Sequence, residues 1–296
     1  MKKQILITGS GGFIGRNLVE MLADKYTILA PRSAELNLLD AQSVEDYLKI
    51  HQVDQIIHAA VYHVTRNSTL DPQKSLSINL RMFFNLARCN SLYKRMFHLG
   101  SGAEYGKQNP IKMVKETDFG DRIPTDDYGF FKYVITKTLP SYPNIFNLRL
   151  FGIFGKYEDW QIRFISNAIC KAIFDIPITI KQNVYFDYLY IDDFVRIIMQ
   201  LLEMEIIPYQ IINVASGKRI DLKTIARMAQ KFSNKKEVIT IAKAGLSNEY
   251  TADNSLMSKL LPELLITPIE ESIEVLYNWY KTHRNEIDVK KLSIDP

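Results

Sequence analysis

The first half of the chain alternates short apolar runs with longer amphipathic stretches. QILIT (4–8), YTILA (26–30), DQIIHAA (54–60), RMFHLG (95–100) and FNLRL (146–150) are apolar enough to predict strands buried on both faces. Between them, residues 13–24, 42–51, 75–90 and 126–139 place their apolar residues at helical spacing. SLSINLRMFFNLARC, from residue 75, shows the period most clearly. Strand and helix alternating on this scale predict a doubly wound α/β fold with a parallel sheet.

After residue 150 the rhythm changes. A loop containing Gly152 and Gly155 leads to a predicted helix near 160–174. Short strand-like pieces follow (PITI, YFDYLY), then a helix from about 192, the strand IINVA (211–215) and helices near 221–231 and 270–282. This divides the chain into a first domain, 1–155, and a smaller α/β domain, 156–296, with 191–215 able to rejoin the first sheet.

A length of 296 residues suits one large or two modest domains. With 47% hydrophobic and 24% charged residues the composition is that of an ordinary globular protein. A net charge of +4, without a basic run or stripe, gives no case for a nucleic-acid partner. No apolar segment approaches the length of a membrane span, and the start of the chain lacks a signal-peptide pattern. Cys89 and Cys170 have no metal-ligand spacing and read as buried thiols of a cytoplasmic protein. No metal site is expected.

The candidate chemistry begins at ILITGSGGFIG. Gly9, Gly12 and Gly15 follow the first predicted strand and open the first predicted helix. In that context glycines let the backbone approach a pyrophosphate, and the helix N-terminus offers it free N–H groups. This marks a Rossmann-type dinucleotide site comprising Gly9, Gly12, Phe13, Ile14 and Gly15. A nucleotide P-loop is excluded, because no Gly-Lys-Ser/Thr follows. The second strand ends Ala30-Pro31-Arg32-Ser33, with no carboxylate before Glu35. An acidic residue there would hold the ribose of NAD, whereas an arginine suits the 2′-phosphate of NADP. Arg32 and Ser33 therefore favour NADP(H), with NAD(H) left open.

Three Tyr-x-x-x-Lys patterns occur: Tyr128 with Lys132, Tyr133 with Lys137, and Tyr277 with Lys281. A phenol titrates near pH 10, about three units too high for a base at neutral pH. A lysine one helical turn away favours the phenolate. The pattern alone does not choose among the three copies.

Their surroundings do. The TGxxGFIG opening combined with Pro124, Tyr128, Gly129 and Lys132 resembles the extended short-chain dehydrogenase/reductase family of nucleotide-sugar epimerases, dehydratases and reductases. HAA (58–60), Asn79, HLGSGAEYG, RLFGIFG, FDYLYIDD, INVASG and TPIEESI are similar to further segments of that family. ELNLLD resembles the matching stretch of GDP-fucose synthases. The resemblance implies Ser101, Tyr128 and Lys132 as catalytic residues. It also implies Lys132, Asn37, Leu38, Ala59 and Ala60 as cofactor contacts, and a nucleotide sugar as substrate. Tyr133 and Tyr277 then read as packing residues.

Departures from the family pattern narrow the reaction. The acidic pair that family dehydratases carry after the Ser/Thr is Gly102 and Ala103 here. Glu104 replaces a usual valine, and either touches substrate or faces solvent. The asparagine after RLF is Gly152, and the arginine before DY is Phe186. Both usual grips on the substrate diphosphate are thus missing, which makes Arg163 and Lys181 the candidate substitutes. The expectation is NADPH-dependent reduction of a nucleotide-linked 4-keto-6-deoxy sugar for surface polysaccharide synthesis. A 4-epimerase with tightly bound NAD and a non-catalytic NADP-binding regulator are the alternatives. The apolar run YVI (133–135) permits a homodimer.

Overall fold

The computed structural model describes residues 2–65, 67–233 and 238–292. It divides into two compact units. The first comprises Met1–Asn109, Lys115–Leu150 and Ile198–Val214, and the second Pro110–Val114, Phe151–Ile197 and Ala215–Pro296.

The first unit is a six-stranded sheet. Strands β1 (Gln4–Thr8), β2 (Thr27–Leu29), β3 (Gln55–His58) and β4 (Arg95–Ser101) are joined by Ile145–Leu150 and Ile211–Val214. The order is Ile211–Val214, Ile145–Leu150, β4, β3, β1, β2, and every pair is parallel. The doubly wound reading is borne out, and the segment 211–214 does lie in the main sheet. Burial explains the strand composition, since β3, β4 and Ile145–Leu150 are buried at every position. Helices α1 (Phe13–Leu22), α2 (Ala41–His51), α3 (Ser75–Ala87) and α4 (Asp127–Thr138) connect the strands. Phe83, Leu86, Phe131 and Ile135 pack with Leu6, Ile56 and Met96 in one apolar cluster. Asp40 and Asp126 cap α2 and α4 by accepting backbone N–H bonds.

The topology positions a site. Strand β1 pairs with β2 on one side and β3 on the other, so the winding reverses there. Ligands of doubly wound folds bind at the carboxyl ends of strands flanking such a reversal.

The second unit holds a five-stranded sheet and a parallel pair, Ile178–Asn183 with Ile239–Leu246. In the sheet, Tyr185–Tyr190 pairs with Gly152–Phe154, Arg219–Asp221 and Tyr250–Ala252. Helices Phe164–Ile173, Leu222–Gln230 and Ile269–Thr282 belong to the same unit. The buried Asp187 carboxylate accepts from the Ser216 and Gly217 N–H groups and from the Ser216 hydroxyl. Among the described residues, no helix is long and apolar enough to cross a membrane.

Candidate active site

The turn after β1 comes first. Gly9 has φ +71°, and a Cβ on it would stand 2.7 Å from the Ala60 Cα and N. A Cβ on Gly15 would collide with the Gly9 carbonyl. Glycine is required at both, because backbone surrounds them. Gly12 N donates to Gly9 O at 3.0 Å and forms the N-cap of α1 without any side-chain cap. Phe13 and Ile14 begin the helix. Its first-turn N–H groups are therefore not taken by a capping side chain, which suits an anion such as a pyrophosphate. Ala59 and Ala60 leave β3 beside Gly9. Ala60 N donates to Thr8 Oγ1 at 3.3 Å.

Arg32 and Ser33 are exposed on the turn after β2. The Arg32 backbone N–H donates to Glu35 at 2.7 Å, which ties the turn together. Asn37 is exposed, whereas Leu38 packs against the core and its carbonyl accepts from Asn85 Nδ2 at 2.8 Å. Asn79 bonds Tyr62 in both directions, which ties the segment after β3 to α3.

Ser101 ends β4, and Tyr128 and Lys132 lie one turn apart on α4. Ser101 Oγ accepts from Ala103 N at 3.2 Å. The half-buried Tyr128 ring meets His63 and Phe131 edge-on, at 5.3 and 5.4 Å. The ammonium of Lys107 lies 5.3 Å from the centre of the same ring. Lys132 is buried, donates to the Leu99 carbonyl, and stands 3.4 Å from His98 Nε2. Burial pulls its ammonium down to about 8, against a smaller opposing pull from the Glu104 charge. The other two Tyr-Lys copies differ. Tyr133 packs against Phe119, and Tyr277 stacks on Phe232 while donating to its carbonyl.

Glu104 corrects the sequence reading, because it neither reaches outward to substrate nor faces solvent. Its side chain is 0% exposed and accepts from Arg149 Nε at 2.6 Å, also fully buried. It accepts as well from Ser101 N, Thr136 Oγ1 and Asn147 Nδ2. The physical reason is Arg149, which the next strand places inside the unit where only a carboxylate can neutralise it. Arg163 and Lys181 are exposed residues of the second unit. Arg163 occupies the N-cap position of the helix Phe164–Ile173 without a side-chain cap, and Lys181 lies on the strand Ile178–Asn183.

Sequence reasoning passed over a buried polar row. Thr8, His58, His98 and Asn147 are register partners on four neighbouring strands, each 2% exposed or less. Thr8 Oγ1 and His58 Nδ1 are 2.8 Å apart, and the His58 and His98 rings are 5.4 Å apart. Burial holds His58 down at about 3 and His98 well below the usual histidine range, with the Lys132 charge adding to both. The available signal was a polar residue at the same register position in four neighbouring strands.

The glycine-built turn at the winding reversal defines a dinucleotide-binding type of fold, with Ser101 on a neighbouring strand and Tyr128 and Lys132 on α4. The NAD dependent epimerase/dehydratase family model matches residues 5–215, and the chain belongs to that family. It is an NAD(P)-dependent oxidoreductase or epimerase of the extended short-chain type, and proteins named as nucleotide-sugar reductases and a 4-epimerase are among its relatives. It is 24% identical over 283 residues to the GDP-L-colitose synthase of Yersinia pseudotuberculosis, covering 86% of this chain and 91% of that one. It is 29% identical over 273 residues to the dTDP-4-dehydro-6-deoxyglucose reductase of Escherichia coli, covering 80% and 84%. Among solved structures it is similar to a GDP-mannoheptose C4 reductase from Campylobacter jejuni with NADP bound. There the TM-score is 0.77 at 19% identity, over 95% of this chain and 98% of that one.

Proposed function

We propose that the protein is an NADP(H)-dependent reductase of a nucleotide-linked 4-keto-6-deoxy sugar, in surface polysaccharide precursor synthesis. One observation carries the reading. The acid that follows Ser101, Glu104, is locked to Arg149 inside the first unit, and Gly102 and Ala103 hold no carboxylate. The residues at the end of β4 can thus move a proton to or from an oxygen. They lack the acid–base pair needed to expel water from a sugar ring. The Escherichia coli and Yersinia relatives support a substrate of this class.

In this reading Gly9, Gly12, Phe13, Ile14 and Gly15 hold the pyrophosphate. Asn37, Leu38, Ala59 and Ala60 flank the adenosine, and Arg32 with Ser33 meets its 2′-phosphate. The dinucleotide, when bound, supplies the hydride. Tyr128 gives its phenolic proton to the sugar carbonyl oxygen and recovers one from solvent. Ser101 orients that oxygen, and the Lys132 ammonium stabilises the phenolate left behind. The same proposal places the protein in the cytoplasm, with a second copy of the chain as its candidate partner and neither nucleic acid nor membrane.

The test is turnover of nucleotide-linked 4-keto-6-deoxy sugars, followed by nicotinamide absorbance. Tyr128→Phe should lower kcat by about 100-fold or more and leave NADPH affinity unchanged. Arg32→Ala should weaken NADPH about tenfold or more and leave NADH unaffected. Stoichiometric NAD released from protein purified without added cofactor would instead establish the 4-epimerase. Wild-type turnover in Tyr128→Phe would end the catalytic assignment.

A further inference from the structure

We propose that His98, braced by His58 and Thr8, is a positioning residue that holds the Lys132 ammonium in its buried place. The inference rests on the reading of Tyr128 and Lys132 as the proton-transfer pair. It goes beyond that reading by assigning a role to side chains that touch neither substrate nor cofactor.

The geometry begins with a lysine that has left water. An ammonium has three protons to place. Lys132 places one on the Leu99 carbonyl, and a second faces His98 Nε2 at 3.4 Å. The groups around it come from every neighbouring element. Strand β4 supplies His98 and the Leu99 carbonyl, β3 supplies His58, and β1 supplies Thr8 behind it. The turn after β4 brings the charge of Glu104, and α4 itself brings the Phe131 ring at 5.2 Å and Tyr128 one turn back. Glu104 is engaged by Arg149, and the His98 nitrogen is a side-chain acceptor that faces the ammonium.

His98 is set up for that task. Burial keeps its ring neutral, and a neutral imidazole accepts at one nitrogen only. If Nε2 accepts, the proton sits on Nδ1, and Nδ1 is indeed buried without a hydrogen-bond partner. An unmatched buried donor is costly, so a core position would ordinarily carry an apolar residue instead. The ring is also held in orientation. Phe83 lies edge-on at 5.2 Å, and His58, tied to Thr8, lies 5.4 Å away on the other strand.

The experiment compares wild type, His98→Phe and His98→Gln by NADPH binding against pH, read by fluorescence, alongside kcat/KM against pH. Wild type should lose affinity on the alkaline side as Lys132 gives up its proton, near pH 8. Phe removes the acceptor, so the alkaline limb should move down by about one pH unit in both profiles. Gln offers a carbonyl oxygen and should restore most of the shift. An unmoved limb in a folded Phe variant would overturn the proposal. Should that variant fail to fold, 15N-histidine spectra of the wild type decide. One neutral ring should carry its proton on Nδ1, and its Nε2 signal should move as Lys132 titrates and stay still in Lys132→Met. A ring protonated on Nε2 throughout would refute the idea. The binding profile does not depend on turnover, so failure of the reductase reading would show separately, as wild-type activity in Tyr128→Phe.

Discussion

Removing the Glu104 carboxylate should be among the most damaging single changes to the first unit, although its position in the sequence resembles a loop. Its two oxygens serve four partners: Arg149 Nε at 2.6 Å, Thr136 Oγ1 at 2.8 Å, Ser101 N at 3.0 Å and Asn147 Nδ2 at 3.1 Å. Glu104→Ala would leave the fully buried Arg149 guanidinium against Tyr105 and Phe119 with no counter-charge. Breaking a buried pair from one side costs about 3–5 kcal/mol. The orphaned amide and hydroxyl act in the same network, so their losses do not simply add. Against a total stability of roughly 5–15 kcal/mol, such a loss is a third or more in many cases. At about 2–4 °C per kcal/mol the melting temperature should fall by roughly 10 °C. Replacing both members, as in Glu104→Leu with Arg149→Met, should recover the part of the loss due to the bare charge, while Ser101 N and the Thr136 hydroxyl still lack their acceptor. Urea and thermal unfolding of the four proteins in the cycle measure the coupling, expected at about 2–4 kcal/mol. Single variants that each cost under about 1 kcal/mol, or a double variant that loses the sum of the two, would refute the reasoning.

Two further outcomes follow from the same structure. Gly15→Ala should lower NADPH affinity by about 100-fold, since the new methyl meets the Gly9 carbonyl and displaces the turn; Gly11→Ala, which meets nothing within 4 Å, should bind as wild type, and fluorescence titration checks both. Burial pushes the Glu158 carboxyl up to about 7. A raised folded-state value means that ionisation opposes folding, so wild-type stability should fall as pH rises from about 4.5 through 7. Glu158→Gln keeps an acceptor for Ser166 and removes the charge. It should match wild type near pH 4 and exceed it by up to about 3 kcal/mol at pH 9 in unfolding experiments.

The first unit was legible because its central strands are buried on both faces and its connecting helices place their apolar residues at helical spacing. All five predicted strands and all four helices appear within a few residues of their expected bounds, and IINVA joins the same sheet. The second unit was less legible because its added strands carry no burial signal. Ile239–Leu246 is exposed along nearly its whole length, and Tyr250–Ala252 and Arg219–Asp221 are three residues each. Such segments are strands because of their partners. Glu104 was misread for a related reason. An acid after Gly-Ala gives no local sign of burial, and its explanation lies 45 residues away in Arg149, on the neighbouring strand.

The two departures that set this chain apart from its family pattern, Gly152 and Phe186, are physically one departure. Gly152 pairs with Tyr188 across neighbouring strands. A Cβ at 152 would stand 2.5 Å from the Asp187 carbonyl and 2.7 Å from the Tyr188 ring. The ring can remain only while residue 152 has no side chain, so an asparagine introduced there would have to displace Tyr188 before it could grip anything. Phe186 lies on the same face of its strand, two residues before Tyr188. Its ring sits 5.4 Å from Tyr188 and 5.7 Å from Tyr250. The charge of an arginine at 186 would enter that group of half-buried rings as a cation with aromatic neighbours. Gly152 and Phe186 therefore belong together: the glycine makes room for the tyrosine, and the tyrosine makes an aromatic neighbour the fitting one. Restoring the asparagine alone would break the packing that Phe186 and Tyr188 now share.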